Sequence, residues 1–212
     1  MSKTLMGIVL LGSLLGTALP AVAVDITGKY ETITPAQPTA DKNRVEVVEI
    51  FSYACPHCFS FLPVMERLEK DKADYVDIKH MPAIFRKSWE VYAKAFYTAE
   101  LLGVLDKTHH DLFVEIHNKG KPMNTPEALR NFFTERGVSA EQFDKTFDSF
   151  AVDTKLRQSK VMQGRYGISG TPTVVVNGKY RVSGSTAGSY DNVIAVINAL
   201  AEQEHKAIMA AK

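Results

Sequence analysis

Residues 45–59 read VEVVEIFSYACPHCF and join a strand-like run to a pair of cysteines spaced as C-x-x-C. The first seven residues are rich in β-branched side chains and follow a polar stretch, which predicts a strand. Pro56 suits the first turn of a helix, where its missing N–H has no partner to lose. Apolar residues then recur at mostly helical spacing: Phe59, Leu62, Met65 and Leu68. The segment therefore predicts a strand that runs directly into a helix beginning at the cysteine pair.

The C-P-H-C motif from Cys55 to Cys58 places two sulfurs within one helical turn, close enough to form a disulfide and to reopen it. Cys55 stands at the first helical residue or just before it. There it faces unpaired backbone N–H groups and the positive end of the helix dipole. Both favour the thiolate, and a protonated His57 would add to them. We therefore expect Cys55 to be the nucleophile and Cys58, deeper in the helix, to be the resolving thiol.

Other uses of a C-x-x-C pair fit these residues less well. A structural disulfide closing so short a loop removes only about 2 kcal/mol of chain entropy, which a domain of this size hardly needs. Haem attachment needs a histidine directly after the second cysteine, and that residue is Phe59. A structural zinc site needs further paired ligands, but the chain has no third cysteine. The remaining histidines form no matching pair: His80, His109, His110, His117 and His205.

These considerations lead to two expectations about metals and cofactors. We expect no metal site, and no cofactor other than the redox-active pair of Cys55 and Cys58. His109, His110 and His117 are close enough along one predicted helix to suggest a metal or proton site. We interpret them instead as solvated helix positions.

The first 23 residues have the pattern of a secretory signal peptide. Lys3 is their only charged residue, an apolar run extends from Leu5 to Leu19, and Ala21-Val22-Ala23 matches the small-x-small sequence before a cleavage site. The apolar run is interrupted by glycines and is shorter than the roughly 20 residues of a transmembrane helix, which argues against a membrane anchor. We expect cleavage near Val24 and a soluble mature protein.

The mature chain, of about 190 residues, suffices for one domain with a sizeable core, or for one domain carrying an insertion. Residues 24–87 contain the strand and helix around the cysteines and a further strand. Residues 88–166 change to helical periodicity and include a capping box that starts at Ser139. Residues 167–212 return to strands through a hairpin with an Asn177-Gly178 turn and close with an amphipathic helix. The order predicts an α/β fold interrupted by a helical block.

Charge and length restrict the partners. Beyond residue 23 the chain has 24 basic and 24 acidic side chains, so its formal charge is zero and we expect no nucleic-acid partner. The roughly 20 residues before the first long strand leave no room for a dimerisation domain. We therefore expect a monomer.

The segment from Glu49 to Phe59, the helical block, and the later stretches from Gly170 to Thr173 and from Val176 to Tyr180 together resemble the DsbA family of thiol:disulfide oxidoreductases. The resemblance covers nearly all of the mature chain. It implies a thioredoxin fold with an inserted helical subdomain. It also implies a strongly oxidising disulfide that is donated to reduced, newly exported polypeptides in the periplasm. Reoxidation would then come from a DsbB-type quinone oxidoreductase of the inner membrane.

The same resemblance assigns roles to residues far from the motif. Pro172 matches the family's cis-proline, whose loop faces the cysteine pair and presents backbone to the substrate. An ordinary proline at the start of a strand is the alternative that the residue alone leaves open. Thr171 matches a position that tunes substrate release and redox poise. Both residues are therefore expected to contact the substrate.

Glu49 lies six residues before Cys55 and matches a family acid. We expect its side chain to point inward, with a raised pKa, and to relay the proton of Cys58. An exposed strand acid, as we interpret Glu46 to be, is the alternative. A basic residue at Lys79 or His80 is the expected electrostatic partner of Glu49.

Two other functions remain compatible with these residues. A disulfide reductase or isomerase would share the C-x-x-C pair but would normally add a dimerisation domain. A periplasmic peptide-binding chaperone without redox turnover would share the fold, but it would have no use for a helix-terminal C-P-H-C motif. A disulfide oxidase is therefore favoured.

Overall fold

The computed structural model describes residues 25–212, so the predicted signal peptide lies outside the described residues. In this part of the chain one sheet is formed by β1 (Glu31–Thr32), β2 (Val45–Phe51), β3 (Val76–Pro82), β4 (Thr173–Val176) and β5 (Tyr180–Val182). The strand order is β1-β5-β4-β2-β3. β2 and β3 are parallel, whereas the other neighbours are antiparallel.

The helices follow the predicted order. They are α1 (Pro56–Asp71), a 3-10 turn (Lys87–Trp89), α2 (Glu90–Leu101), α3 (Leu105–His117), α4 (Pro126–Thr134), α5 (Ala140–Phe147), α6 (Phe150–Arg165), α7 (Gly184–Ala187) and α8 (Tyr190–Ala210). The short helix α7 was not predicted. No helix within residues 25–212 combines the length and the apolar character needed to cross a membrane.

β2 is the central strand, and all seven of its residues are buried. A strand that is covered on both faces usually has a nearly continuous run of apolar residues, and β2 has such a run apart from its two glutamates. Parallel pairing of β2 with β3 requires a crossover connection, which α1 supplies. The cysteine motif thus begins this crossover, at the carboxyl end of the central strand.

The predicted hairpin and capping signals are confirmed. Asn177 and Gly178 connect β4 to β5 with φ values of 50° and 65°, the left-handed conformation that such a turn requires. A Cβ atom at Gly178 would also lie 2.1 Å from the carbonyl oxygen of Gln37, so a side chain has no room there. Ser139 and Gln142 form the predicted capping box at the start of α5.

Two apolar cores lie on the two sides of this framework. One core joins the cysteine motif and the ends of β2 and β3 to the helical block, where Phe132, Phe133, Phe143 and Phe147 pack together. The other is formed between the sheet, α1 and α8. α1 contributes side chains to both cores, so the helix that begins at the cysteine motif is anchored in both.

Candidate active site

Cys55 is the N-cap residue of α1, as predicted, and Pro56 occupies the first helical turn. Cys55 is 7% exposed and Cys58 is fully buried, and both are unpaired thiols in the structure. The backbone at Cys55 is extended and accepts hydrogen bonds from the N–H groups of Cys58 and Phe59 through its carbonyl oxygen. Cys55 thus keeps a small exposed fraction at the helix start, whereas Cys58 lies behind it with none.

The surroundings of the two thiols separate their acidities. A hydrogen bond with the Cys58 thiol lowers the pKa of Cys55, burial opposes this, and Thr171 and the N–H groups of Cys58 and His57 lower it further, to about 5. Burial raises the pKa of Cys58 well above its ordinary value, and the neighbouring Cys55 raises it further. At neutral pH Cys55 is therefore a thiolate and Cys58 a thiol, which supports their assignment as nucleophile and resolving thiol.

His57 acts on Cys55 through its backbone. Its N–H group contributes to the lowered pKa of Cys55, while its side chain is exposed to solvent. The additional effect expected from a protonated imidazole stays a prediction.

The loop before β4 brings Thr171 and Pro172 to the cysteine pair. The peptide bond between these two residues is cis, and Cys55 Sγ lies 3.5 Å from the carbonyl oxygen of Thr171. Beside this loop is a groove of about 410 Å³ that reaches His57 and Tyr190. The loop that contains Thr171 and Pro172 thus borders the Cys55 sulfur through the carbonyl oxygen of Thr171.

Tyr190 is a residue of this site that the sequence reasoning missed. It is the first residue of α8, and its hydroxyl donates to the carbonyl oxygen of His57 at 3.3 Å. Its ring packs edge-to-face on Phe61 of α1, with the ring centroids 4.9 Å apart. In the sequence Tyr190 is marked only by its position directly after Ser189, the N-cap residue of α8. That position indicates a helix start but not the contact with α1.

Glu49 points inward from β2, as predicted, and is 2% exposed. Its partner is His80, which stands opposite it in the β2–β3 register, with Nδ1 of His80 2.7 Å from Oε2 of Glu49. Burial lowers the pKa of His80, but hydrogen bonds with Glu49 and Glu69 outweigh it and raise the pKa to about 10. The structure thus selects His80 rather than Lys79 as the electrostatic partner.

Glu46 is not an exposed strand acid: it is 9% exposed and forms an ion pair with Lys79. That interpretation was wrong because the opposite face of β2 is also covered. Glu49 is not among the groups that chiefly shift the pKa of Cys58, so the proton relay stays a prediction.

Comparisons with known proteins identify the family. Residues 46–192 match the family model described as a DSBA-like thioredoxin domain. The thiol:disulfide interchange protein DsbA of Azotobacter vinelandii is 35% identical over 98% of this chain and 100% of its own length. The chain belongs to the DsbA family. The mixed α/β architecture described above is accordingly the thioredoxin fold with inserted helices that the sequence predicted.

Solved structures of DsbA proteins agree with this membership. The crystal structure of Pseudomonas aeruginosa DsbA is 33% identical, with a TM-score of 0.82 over 88% of this chain and 96% of that one. The crystal structure of the oxidoreductase DsbA from Xylella fastidiosa is 30% identical, with a TM-score of 0.80 over 87% of this chain and 99% of that one. Nearly the whole length of these DsbA proteins is therefore matched by this chain.

The histidines of this DsbA-family chain require a correction. His109 is packed against the aromatic ring of Phe51, with its Nδ1 2.8 Å from the hydroxyl oxygen of Tyr53. Burial lowers the pKa of His109 well below its ordinary value. His117 is stacked on Phe59, and its Nε2 lies 2.8 Å from the carbonyl oxygen of Tyr53. The expectation of solvated positions was therefore wrong for both.

His109 and His117 are not solvated because they lie on the face of α3 that is turned towards the protein interior. His109, Phe113 and His117 are spaced by four residues and form one stripe that faces the cysteine motif. His110, one position further round the helix, is exposed and pairs with Glu66 at 2.7 Å, as a solvated histidine would. The four-residue spacing of His109 and His117 from the apolar Phe113 was the signal that could have identified these two histidines as inward-facing.

Proposed function

We propose that this protein oxidises newly exported polypeptides by donating the disulfide between Cys55 and Cys58. Thiol:disulfide interchange is the activity of its class, since the chain belongs to the DsbA family. The observation that supports oxidation is the lowered pKa of Cys55, about 5. A thiolate that the fold stabilises is a good leaving group, and it favours the reduced form of the enzyme.

The reaction proceeds through a mixed disulfide. A substrate thiolate attacks Sγ of Cys55, the bond between the two cysteines breaks, and Cys58 leaves as a thiolate that takes up a proton. A second substrate thiolate then attacks the substrate sulfur of the mixed disulfide and releases Cys55 as a thiolate. Two substrate thiols are oxidised to a disulfide, while the cysteine pair is reduced.

The neighbouring residues serve this exchange. Pro172 lacks an N–H group, so its loop leaves an open edge beside the sulfur, and a hydrogen bond from the side chain of Thr171 supports the Cys55 thiolate. Glu49 is proposed to relay the proton that Cys58 takes up. The exchange itself requires no cofactor other than the cysteine pair.

A signal peptide over residues 1–23 would direct the protein to the periplasm, where reduced polypeptides arrive. We propose that it works there as a monomer, without a nucleic-acid partner. A DsbB-type quinone oxidoreductase of the inner membrane would accept the electrons from Cys55 and Cys58 and restore the disulfide.

Two assays on the mature protein test the activity. The oxidised protein should rapidly reactivate a reduced multi-cysteine enzyme, whereas the Cys55→Ser variant should not, and reduction of insulin should be weak. Strong insulin reduction with poor oxidation would indicate a reductase, and suppression of aggregation without thiol turnover would indicate a chaperone. Catalytic turnover in the presence of quinone and a DsbB-type membrane preparation tests the proposed reoxidation.

A further inference from the structure

A cluster of three potential metal ligands lies on the side of the cysteine helix that faces α3. It consists of Glu49 on β2, His80 on β3 and His109 on α3, and the ligand atoms of all three lie within 4.8 Å of one another. Two imidazoles and one carboxylate are a ligand set that binds Zn²⁺ and related ions with a fourth position left open. We propose that these residues form a binding site for a divalent transition-metal ion such as Zn²⁺, separate from the thiols.

Both histidines are already oriented as metal ligands usually are, with the second ring nitrogen held by a neighbouring group. Nε2 of His80 is 2.7 Å from Oε1 of Glu69, which leaves Nδ1 to face Glu49. Nδ1 of His109 is 2.8 Å from the hydroxyl oxygen of Tyr53. The nitrogen that remains for a metal ion is therefore Nδ1 in His80 and Nε2 in His109.

Nε2 of His109 is the independent sign of a ligand. This atom is buried and has no hydrogen-bond partner within residues 25–212. A buried polar atom without a hydrogen-bond partner is energetically costly and calls for an explanation such as a bound ion or water. A metal ion between His109 and the Glu49–His80 pair would supply the missing partner.

The cluster is reachable from solvent. A pocket of about 280 Å³ lies between α1 and α3 and is lined by both histidines. Three acidic side chains stand around it, from Glu66, Glu69 and Asp106. These carboxylates favour the entry of a cation, and the open space provides the fourth position for water.

The geometry needs only small adjustments. Tetrahedral ligands with bonds of about 2.1 Å lie about 3.4 Å apart, so side-chain shifts of about 1 Å would close the cluster. In the structure His80 lies between the carboxylates of Glu49 and Glu69, a position that favours positive charge. A metal ion would take the place of the proton that Nδ1 of His80 shares with Glu49.

The test uses untagged, mature protein in its oxidised form, because free thiols and a histidine tag would themselves bind zinc. Titration calorimetry with ZnCl₂ is expected to show saturable binding of one ion per chain. Co²⁺ should give the intense visible absorption of a four-coordinate site and should be displaced by Zn²⁺. No saturable binding, or a dissociation constant above about 1 mM, would overturn the proposal.

Variants locate the site. His109→Gln and His80→Gln should abolish the Co²⁺ spectrum, and Glu69→Gln should weaken Zn²⁺ binding about 10–100-fold, because it removes the group that orients His80. His110→Gln is the matched control, since this neighbouring histidine faces solvent, and its affinity should stay within about twofold of the parent. Loss of binding in the control together with retention in His109→Gln would place the ion at the surface and reject the proposal.

A measurement on the unchanged protein covers the case in which a buried variant fails to fold. Imidazole ¹⁵N spectra of the oxidised protein should show Zn²⁺-dependent shifts at Nε2 of His109 and Nδ1 of His80, while His205 remains unchanged. Shifts confined to His110 or His57 would contradict the site. None of these measurements depends on oxidase activity, so they test the metal site independently of the proposed function.

Discussion

The sulfur of Cys55 lies 3.5 Å from the carbonyl oxygen of Thr171, a residue 116 positions further along the chain. The sheet creates this contact, because β4 pairs with β2 and places Thr173 opposite Ile50, close to the end of the central strand. The loop before β4 therefore borders the first turn of α1. In the proposed exchange a substrate thiolate attacks Cys55 beside this loop, while Cys58 stays enclosed.

Exchanging each cysteine separately should distinguish their roles. In the Cys58→Ala variant the mixed disulfide between Cys55 and the substrate cannot be resolved internally, so covalent complexes should accumulate. The Cys55→Ala variant should trap almost none, since Cys58 is fully buried. Non-reducing gel electrophoresis after incubation with a disulfide-bonded substrate protein, whose disulfide the remaining thiolate attacks to release one substrate thiolate, measures both. Complexes that accumulate chiefly in Cys55→Ala would reverse the assignment.

The reduced protein should be the more stable redox form at pH 7, and this order should reverse on acidification. The Cys55 thiol has a folded pKa of about 5, below its unfolded value of about 8.5. Its contribution is therefore complete above the unfolded pKa and disappears as pH falls through the folded one. At pH 7 the thiolate stabilises the reduced form by about 3 kcal/mol. A disulfide in so short a loop stabilises the oxidised form by only about 2 kcal/mol, so the reduced form should be the more stable one.

Paired denaturant melts of the oxidised and reduced proteins at pH 7 and pH 5 measure this difference. At pH 5 the thiolate contribution falls below about 1 kcal/mol, so the oxidised form should then be at least as stable as the reduced one. A Cys55→Ser, Cys58→Ser double variant serves as the pH control. An oxidised form that is already the more stable at pH 7 would argue against an oxidase and for a reducing or structural cysteine pair.

Replacing Glu49 tests the proton relay. Glu49→Gln should slow the uptake or loss of the Cys58 proton at neutral pH, and hence the attack of Cys58 on Cys55 that resolves the mixed disulfide internally. The titration of Cys55, followed by thiolate absorbance, should stay largely in place, because Glu49 is not among the chief groups that lower its pKa. Rapid mixing in the presence of a chelator measures the rate, and Glu46→Gln on the opposite face of β2 is the matched control. An unchanged resolution rate would reject the relay.

Removing the hydroxyl of Tyr53 should destabilise the protein. Tyr53 is 1% exposed, and its hydroxyl group is the partner of Nδ1 of His109. In Tyr53→Phe that buried nitrogen loses its partner, so the free energy of unfolding should fall by about 1–3 kcal/mol. Chemical denaturation of the oxidised forms measures the change. Tyr75→Phe is the control, because this tyrosine is partly exposed at the edge of the second core, and it should lower the free energy of unfolding by less than about 0.5 kcal/mol. Equal losses of stability in both variants would show that the hydrogen bond to His109 is not the cause.

The elements that the sequence predicted correctly are those encoded by local chemistry. Pro56 after Cys55 marks a helix start, Ser139 with Gln142 a capping box, and Asn177-Gly178 a tight hairpin turn. Each signal acts over a few residues, through a backbone group or a preferred φ angle. The assignment of Cys55 as the nucleophile rests on the same kind of local signal, its position at a helix N-terminus, so the motif alone indicated it.

The sequence by itself determined the helix-terminal cysteine pair, the hairpin and the inward-facing stripe of apolar residues on α8. Only the tertiary structure decided that His80 rather than Lys79 faces Glu49, that His109 rather than His110 points inward, and that Tyr190 contacts the first turn of α1. The physical reason is that strand register and helix phase select one of two neighbouring residues. Strand register and helix phase are set by packing against distant parts of the chain, so they cannot be predicted from a short stretch of sequence.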